Sequence, residues 1–145
     1  MNWAEKINQF NSNLNLKVNL PRGIAVMNPF RNPYTQTLSQ AFYSKYYSDK
    51  NPRTLILGIN PGRFGAGLTG IPFTDPLKLE NLCDIQNTLP KKSELSADFI
   101  YLMIEKAGGI KQFYKQFYFS SVCPLGFTRG GKNLNYYDDI ILQEK

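Results

Sequence analysis

Residues 54–73 read Thr54-Leu-Ile-Leu-Gly58-Ile-Asn60-Pro-Gly62-Arg-Phe-Gly65-Ala-Gly67-Leu-Thr69-Gly70-Ile-Pro-Phe73. Thr54 to Ile59 is a short, β-branched, apolar run, the pattern of a strand buried on both faces. Asn60, Pro61 and Gly62 turn the chain directly after it, and three more glycines follow. Open α/β sheets place their ligands just beyond the carboxyl ends of such strands. The residue at the turn is a neutral amide, Asn60, and Phe73 closes the same loop. An amide to hold a water or a carbonyl, beside a ring to stack on, suits a flat heterocycle better than a phosphate. Each residue also has a purely structural reading, since Asn-Pro-Gly is a turn former and Phe73 could be core beneath the loop.

Two nucleotide motifs are set aside. Gly65-Ala-Gly67-Leu-Thr-Gly70 matches the dinucleotide-binding glycine pattern literally, but its first glycine lies six residues beyond Ile59. Pro72 then stands where the helix should begin. No Gly-Lys-Ser or Gly-Lys-Thr occurs, so there is no P-loop.

Moving outward, Trp3, Ile7, Phe10 and Leu14 predict an amphipathic helix over 2–14. Ile24 to Met27 reads as a short extended piece. Leu38, Ala41, Phe42 and Tyr46 mark a helix over 35–47. Residues 77–85 are a weak helical segment, and 96–107 a stronger helix with Phe99, Met103 and Ile104 on one side and Gly108-Gly109 as its stop. Phe117 to Cys123 is a second apolar strand, followed by a basic, glycine-rich loop over 126–133. Asn135 is the expected cap of a last helix, with Asp138 and Asp139 in its first turn.

The chain has 145 residues, 42% hydrophobic and 19% charged, which fits one globular domain spanning 1–145. A net charge of +6 suits a polyanionic partner. Apolar runs are too short for a membrane span and the N-terminus lacks a signal-peptide pattern, so the expected compartment is the cytoplasm. Cys83 and Cys123 stand forty residues apart and are expected to be inert, buried thiols. There is no histidine. Ser-His and Cys-His nucleophile pairs are thereby excluded, and no metal site or cofactor is expected.

Gly58-Ile-Asn-Pro-Gly-Arg-Phe-Gly65 followed by Thr69-Gly-Ile-Pro-Phe73 resembles motif 1 of the single-strand-selective monofunctional uracil-DNA glycosylases, the SMUG family. Further landmarks follow at matching spacing: Asn28-Pro29, Ser93-Glu-Leu-Ser96, Ser121-Val-Cys-Pro-Leu125 and Gly131-Lys-Asn-Leu134. Several details resemble the bacterial second branch of the family.

The resemblance implies an α/β fold of three layers, α/β/α, around a parallel sheet. It implies a monofunctional glycosylase that hydrolyses the N-glycosidic bond of uracil or related deaminated or 5-substituted bases in DNA. Asn60 would orient the attacking water. Phe73 would stack under the base, Ile59 and Ser121 would meet its polar atoms, and Gly62 would leave room beside the pyrimidine C5. Gly65, Gly67, Thr69, Arg129, Lys132 and Asn133 would contact DNA.

Two departures stand out. Ser121 replaces the asparagine that reads uracil in the family, and Ser120 replaces a histidine before it. The family's later His-Pro-Ser motif does not occur either. From these, the chain is expected to be the N-terminal portion of a longer domain, with weak or no cleavage by itself and either a partner chain or a broad apolar face at its sheet. The alternative from a different class is a non-catalytic module that binds single-stranded nucleic acid.

Overall fold

Strand β2 (Thr54–Gly58) and strand β3 (Phe117–Ser121) pair in parallel, with Thr54 opposite Phe117 and Gly58 opposite Ser121. The computed structural model describes residues 1–145. The expected burial of β2 on both faces does not hold. Ile56 packs against the main core, whereas Leu55 and Leu57 are 53% and 54% exposed. By register Leu55 lies beside Tyr118, which is covered by Trp3 and Tyr47, but the cover stops short of β2.

The helices are α1 (Trp3–Asn13), α2 (Pro33–Tyr46), α3 (Ala66–Thr69), α4 (Pro76–Asn81), α5 (Leu95–Lys106), α6 (Ile110–Gln116) and α7 (Ile140–Gln143). α1 starts with a reciprocal cap, Asn2 Oδ1 accepting from Glu5 N while Glu5 Oε2 accepts from Asn2 N. α2 opens on Asn32 and Pro33, an amide cap followed by a ring already set to helical φ. The core between α2, α6 and β3 is aromatic: Phe42, Tyr43, Tyr47, Phe113, Tyr114 and Phe119 are buried in one cluster. Two tilted or edge-on contacts tie Tyr114 to Phe42 and Tyr47, the geometry aromatic rings prefer.

A second sheet was not legible in the sequence. β1 (Ile24–Met27), β4 (Gly126–Arg129) and β5 (Lys132–Leu134) form an antiparallel sheet in the order β1-β4-β5. The stretch expected to be a basic loop is thus a β-hairpin. Its two-residue turn, Gly130-Gly131, has φ of 57° and 73°, which hairpin turns of this length require and glycine supplies without strain. Ile24, Leu125, Phe127, Leu134 and Leu142 make a small core under this sheet.

Other expectations also change. α5 buries Ala97, Tyr101 and Ile104, and leaves Phe99 67% exposed beside an open Leu95. Phe10 on α1 is exposed as well. The last helix is capped by Asp139, whose Oδ1 accepts from Ile141 N and Leu142 N; Asn135 instead closes a turn with Asp138. Cys83 is fully buried and burial pushes its thiol up to about 11, so it is inert, while Cys123 is only half-buried. No helix is long and apolar enough to cross a membrane.

Candidate functional site

The parallel pairing continues past both strands. Val122 N donates to Gly58 O at 2.9 Å and Cys123 N to Ile59 O at 3.0 Å. The chain then leaves β2 through Asn60 and β3 through Pro124. A cavity of about 370 Å³ opens at these carboxyl ends, within the roughly 300–1,000 Å³ of small-molecule sites. Asn60, Gly62, Phe73 and Ser121 all line it. Residues predicted 61 positions apart in the sequence thus share one site because β2 and β3 are neighbours.

Phe73 sits in the left-handed region, at φ 54°, a conformation an aromatic residue rarely holds without support. The support is visible. Thr74 next to it is fully buried, its Oγ1 2.7 Å from Tyr101 Oη, and Tyr114 Oη donates to Tyr101 Oη at 3.0 Å. The Phe73 ring meets Phe119 at 5.1 Å, edge-on. Gly58 makes room for it, since a Cβ there would lie 2.9 Å from Phe73 Cζ. Gly58 therefore belongs to the site, a role that the sequence reading did not give it.

Asn60 is a tie between the two loops. Its Oδ1 accepts from Tyr136 N at 3.1 Å, and its Nδ2 reaches Leu134 O at 3.4 Å and Pro61 O at 3.3 Å. The amide thereby fastens the glycine-rich loop to the chain leaving β5. Oδ1 keeps a second lone pair, so holding a water and tying the loops are compatible. Ile59 lines the cavity as well, and its carbonyl, which accepts from Cys123 N, likewise keeps a second lone pair.

The residues expected on DNA divide into two groups. Gly65 and Thr69 are buried, which takes them off the DNA-facing surface, whereas Gly67 is half-buried and closely packed. Thr69 is fully buried, its Oγ1 donating to Thr74 O at 2.7 Å and accepting from Ile71 N at 3.1 Å. A Cβ on Gly67 would lie 2.6 Å from Gly62 O, and one on Gly65, itself buried, would collide with Glu94. The hairpin residues Arg129, Lys132 and Asn133 are exposed. Arg129 pairs with Asp139, whose carboxyl is held below the usual range by the α7 backbone N–H of Leu142 and then by Arg129. Asn133 Oδ1 accepts from Arg63 N at 2.8 Å, and the Arg63 guanidinium donates to Gly131 O, lacing the hairpin to the glycine loop.

Several site residues were missed. Glu94, Ser96 and Asn135 line the cavity. Phe64 carries two cations over its ring, Arg63 at 4.3 Å and Lys92 at 4.8 Å. In the sequence these read only as loop charges, because nothing local shows that they converge.

The sequence profile of the Uracil DNA glycosylase superfamily matches residues 44–137, well over half of the chain and the span that holds Asn60, Phe73 and Ser121. The crystal structure of wild-type Pedobacter heparinus SMUG2 is similar at 52% identity and a TM-score of 0.94. That likeness covers 99% of this chain, which spans 64% of the solved one. By profile, fold and sequence identity together, the chain belongs to the uracil-DNA glycosylase superfamily and is of its SMUG type.

Proposed function

We propose that this protein is a monofunctional DNA glycosylase that removes uracil or a related deaminated or 5-substituted base from DNA. The observation that carries the reading is the convergence of Asn60, Phe73 and Ser121 on one cavity at the carboxyl ends of two parallel strands. A base inside a duplex or stack cannot reach such a cavity, so the target nucleotide must be turned out into it. Phe73 then provides a face for stacking, a contact worth about 1–3 kcal/mol.

The chemistry asks for little from the protein beyond charge placement and orientation. Breaking the bond leaves positive charge on the sugar and negative charge on the departing base, and water attacks the sugar. An amide is too weak a base to deprotonate that water, so Asn60 orients it through its remaining lone pair. Ser121 Oγ, able to donate or accept, meets the polar edge of the base. Arg63 and Lys92 on loops, with Arg129 and Lys132 on the β4–β5 hairpin, surround the cavity and suit phosphate oxygens, which position a strand without reading its sequence.

The test is mass-spectrometric detection of free base after incubation with oligonucleotides that carry uracil or xanthine, single-stranded and paired. Free base with an alkali-labile abasic site in equal amount is expected. Tight binding without base release would instead assign the protein to nucleic-acid binding without catalysis.

A further inference from the structure

Tyr136 and Tyr137 are the central residues of a tight turn between β5 and α7. The turn is closed twice: Asp138 N donates to Asn135 O at 3.0 Å, and Asn135 N donates to Asp138 Oδ2 at 2.8 Å. Glycine, proline, asparagine, aspartate and serine are the usual centres of such turns, because they set φ or bond to the nearby backbone. Tyrosine does neither. The flanking Asn135 and Asp138 make the turn, and the turn in its place presents two rings.

The rings divide their work. Tyr136 is half-buried and packs against the small core under the antiparallel sheet, and its N–H donates to Asn60 Oδ1 at 3.1 Å. Tyr137 is 45% exposed. It meets Tyr136 edge-on, with ring centroids 5.4 Å apart and planes at 80°. Its Oη accepts from Asn135 Nδ2 at 3.3 Å, and Asn135 lines the Asn60 cavity. An aromatic ring is thus fixed at the rim of the cavity, one hydrogen bond from its lining, and still open to solvent. The Phe64 ring, by contrast, is already engaged by Arg63 and Lys92.

The charges nearby favour a base over a phosphate as what this ring receives. Asp138, exposed beside Tyr137, repels a phosphate placed on the turn itself. Asp139 is paired with Arg129, and Lys132 stands opposite Arg129 in the hairpin. A strand can therefore lay its backbone along the hairpin cations and turn a base towards the ring.

We propose that Tyr137 is a stacking platform for the base next to the flipped nucleotide, a second nucleobase subsite at the rim, given the reading of the cavity as a base site. The neighbouring nucleotide is one phosphodiester away from the one in the cavity, so its base emerges at the rim. Turning the target out uncovers one face of that base. Tyr137 covers it with a ring already held by Tyr136 and Asn135, so little freedom is lost on binding. Every base has a π-face, so the subsite adds affinity for a strand without reading its sequence.

The experiment is fluorescence anisotropy with single-stranded oligonucleotides that carry one non-hydrolysable 2′-fluoroarabino uracil nucleotide. The base on its 5′ side, or on its 3′ side, is kept or replaced by a tetrahydrofuran abasic residue. On one of the two sides, loss of the base is expected to weaken binding to the wild-type protein about tenfold. Tyr137→Ala is expected to cut that penalty below about twofold, and Tyr137→Phe, which keeps the ring, to retain most of it. Melting temperatures confirm that both variants fold. A purely structural role for Tyr137 would change affinity for every strand alike. Penalties on both sides that are the same in the wild type and in Tyr137→Ala overturn the proposal. The base-site reading is scored separately by the wild-type protein, which fails it by binding the uracil strand no tighter than one with cytosine in its place.

Discussion

Asn60 carries two tasks on one amide. Its bonds to Tyr136 and Leu134 hold the loops that form the cavity, and its free lone pair faces the work of orienting water. Asn60→Ala removes both, so turnover should fall about 100-fold or more, with a stability loss of about 1–2 kcal/mol from the backbone groups of Tyr136, Leu134 and Pro61 that lose their partner. Single-turnover kinetics and thermal melts separate the two effects. Gly58→Ala should act on Phe73 alone. The added methyl lies 2.9 Å from the ring, and overpacking of this sort costs about 1–3 kcal/mol. Weaker base affinity with near-normal binding of undamaged DNA is the expected pattern in a binding titration. Ser121→Asn should sharpen the preference for uracil over xanthine, because an amide presents donor and acceptor together where a hydroxyl rotates to suit either; competition between the two bases in one reaction measures it.

At the scale of elements, the entry to β2 is held by a buried cation. The Arg53 side chain is fully buried, bonded to Asp49 through both guanidinium nitrogens and to the carbonyls of Tyr46 and Tyr114, with Tyr47 4.6 Å away across its ring. Arg53→Lys cannot reproduce that fork and should cost about 2–3 kcal/mol in denaturant unfolding. The Asp49 carboxyl is held below its ordinary value of 3.8, chiefly by the Arg53 hydrogen bond. Its contribution is therefore complete above pH 3.8 and is lost as pH falls through the lower folded value. Asp49→Asn should be less stable than the wild type near neutrality and should lose this part of the acid-induced decline, as acid titrations of stability would show.

Legibility also divided by element. Helices α1, α2 and α5 announce themselves by apolar residues at helical spacing, and strands β2 and β3 by short continuous apolar runs. The hairpin did not, since its strands are four and three residues long and Gly130-Gly131 reads locally as a loop. The exposed Phe99 misled for the opposite reason, being apolar at helical spacing yet on the uncovered side of α5. Asn60 and Phe73 were legible as a site through their loop. The ties of Asn60 to residues 74 and 76 positions away were not, and neither was Glu94, whose place beside a helix start looks like simple capping.

For the whole molecule, two sheets back the cavity from different sides. The parallel pair supplies the floor, with Gly58 and Ser121 at its end, and the antiparallel sheet supplies the hairpin that Asn60, Arg63 and Asn133 lace to the glycine loop. Arg63, Lys92, Arg129 and Lys132 sit on the glycine loop, the segment before α5 and the hairpin, whereas the exposed apolar side chains Leu55, Leu57, Leu95 and Phe99 lie on β2 and α5. The most direct measurement is the rate of base release from a uracil-containing single strand under single-turnover conditions, run in parallel with affinity for the same strand. Release by the wild-type protein that drops about 100-fold in Asn60→Ala, while affinity changes by less than about threefold, is the expected result. Equal release by both proteins, or none by the wild type despite tight binding, would contradict the assignment of Asn60 and of glycosylase chemistry to this cavity.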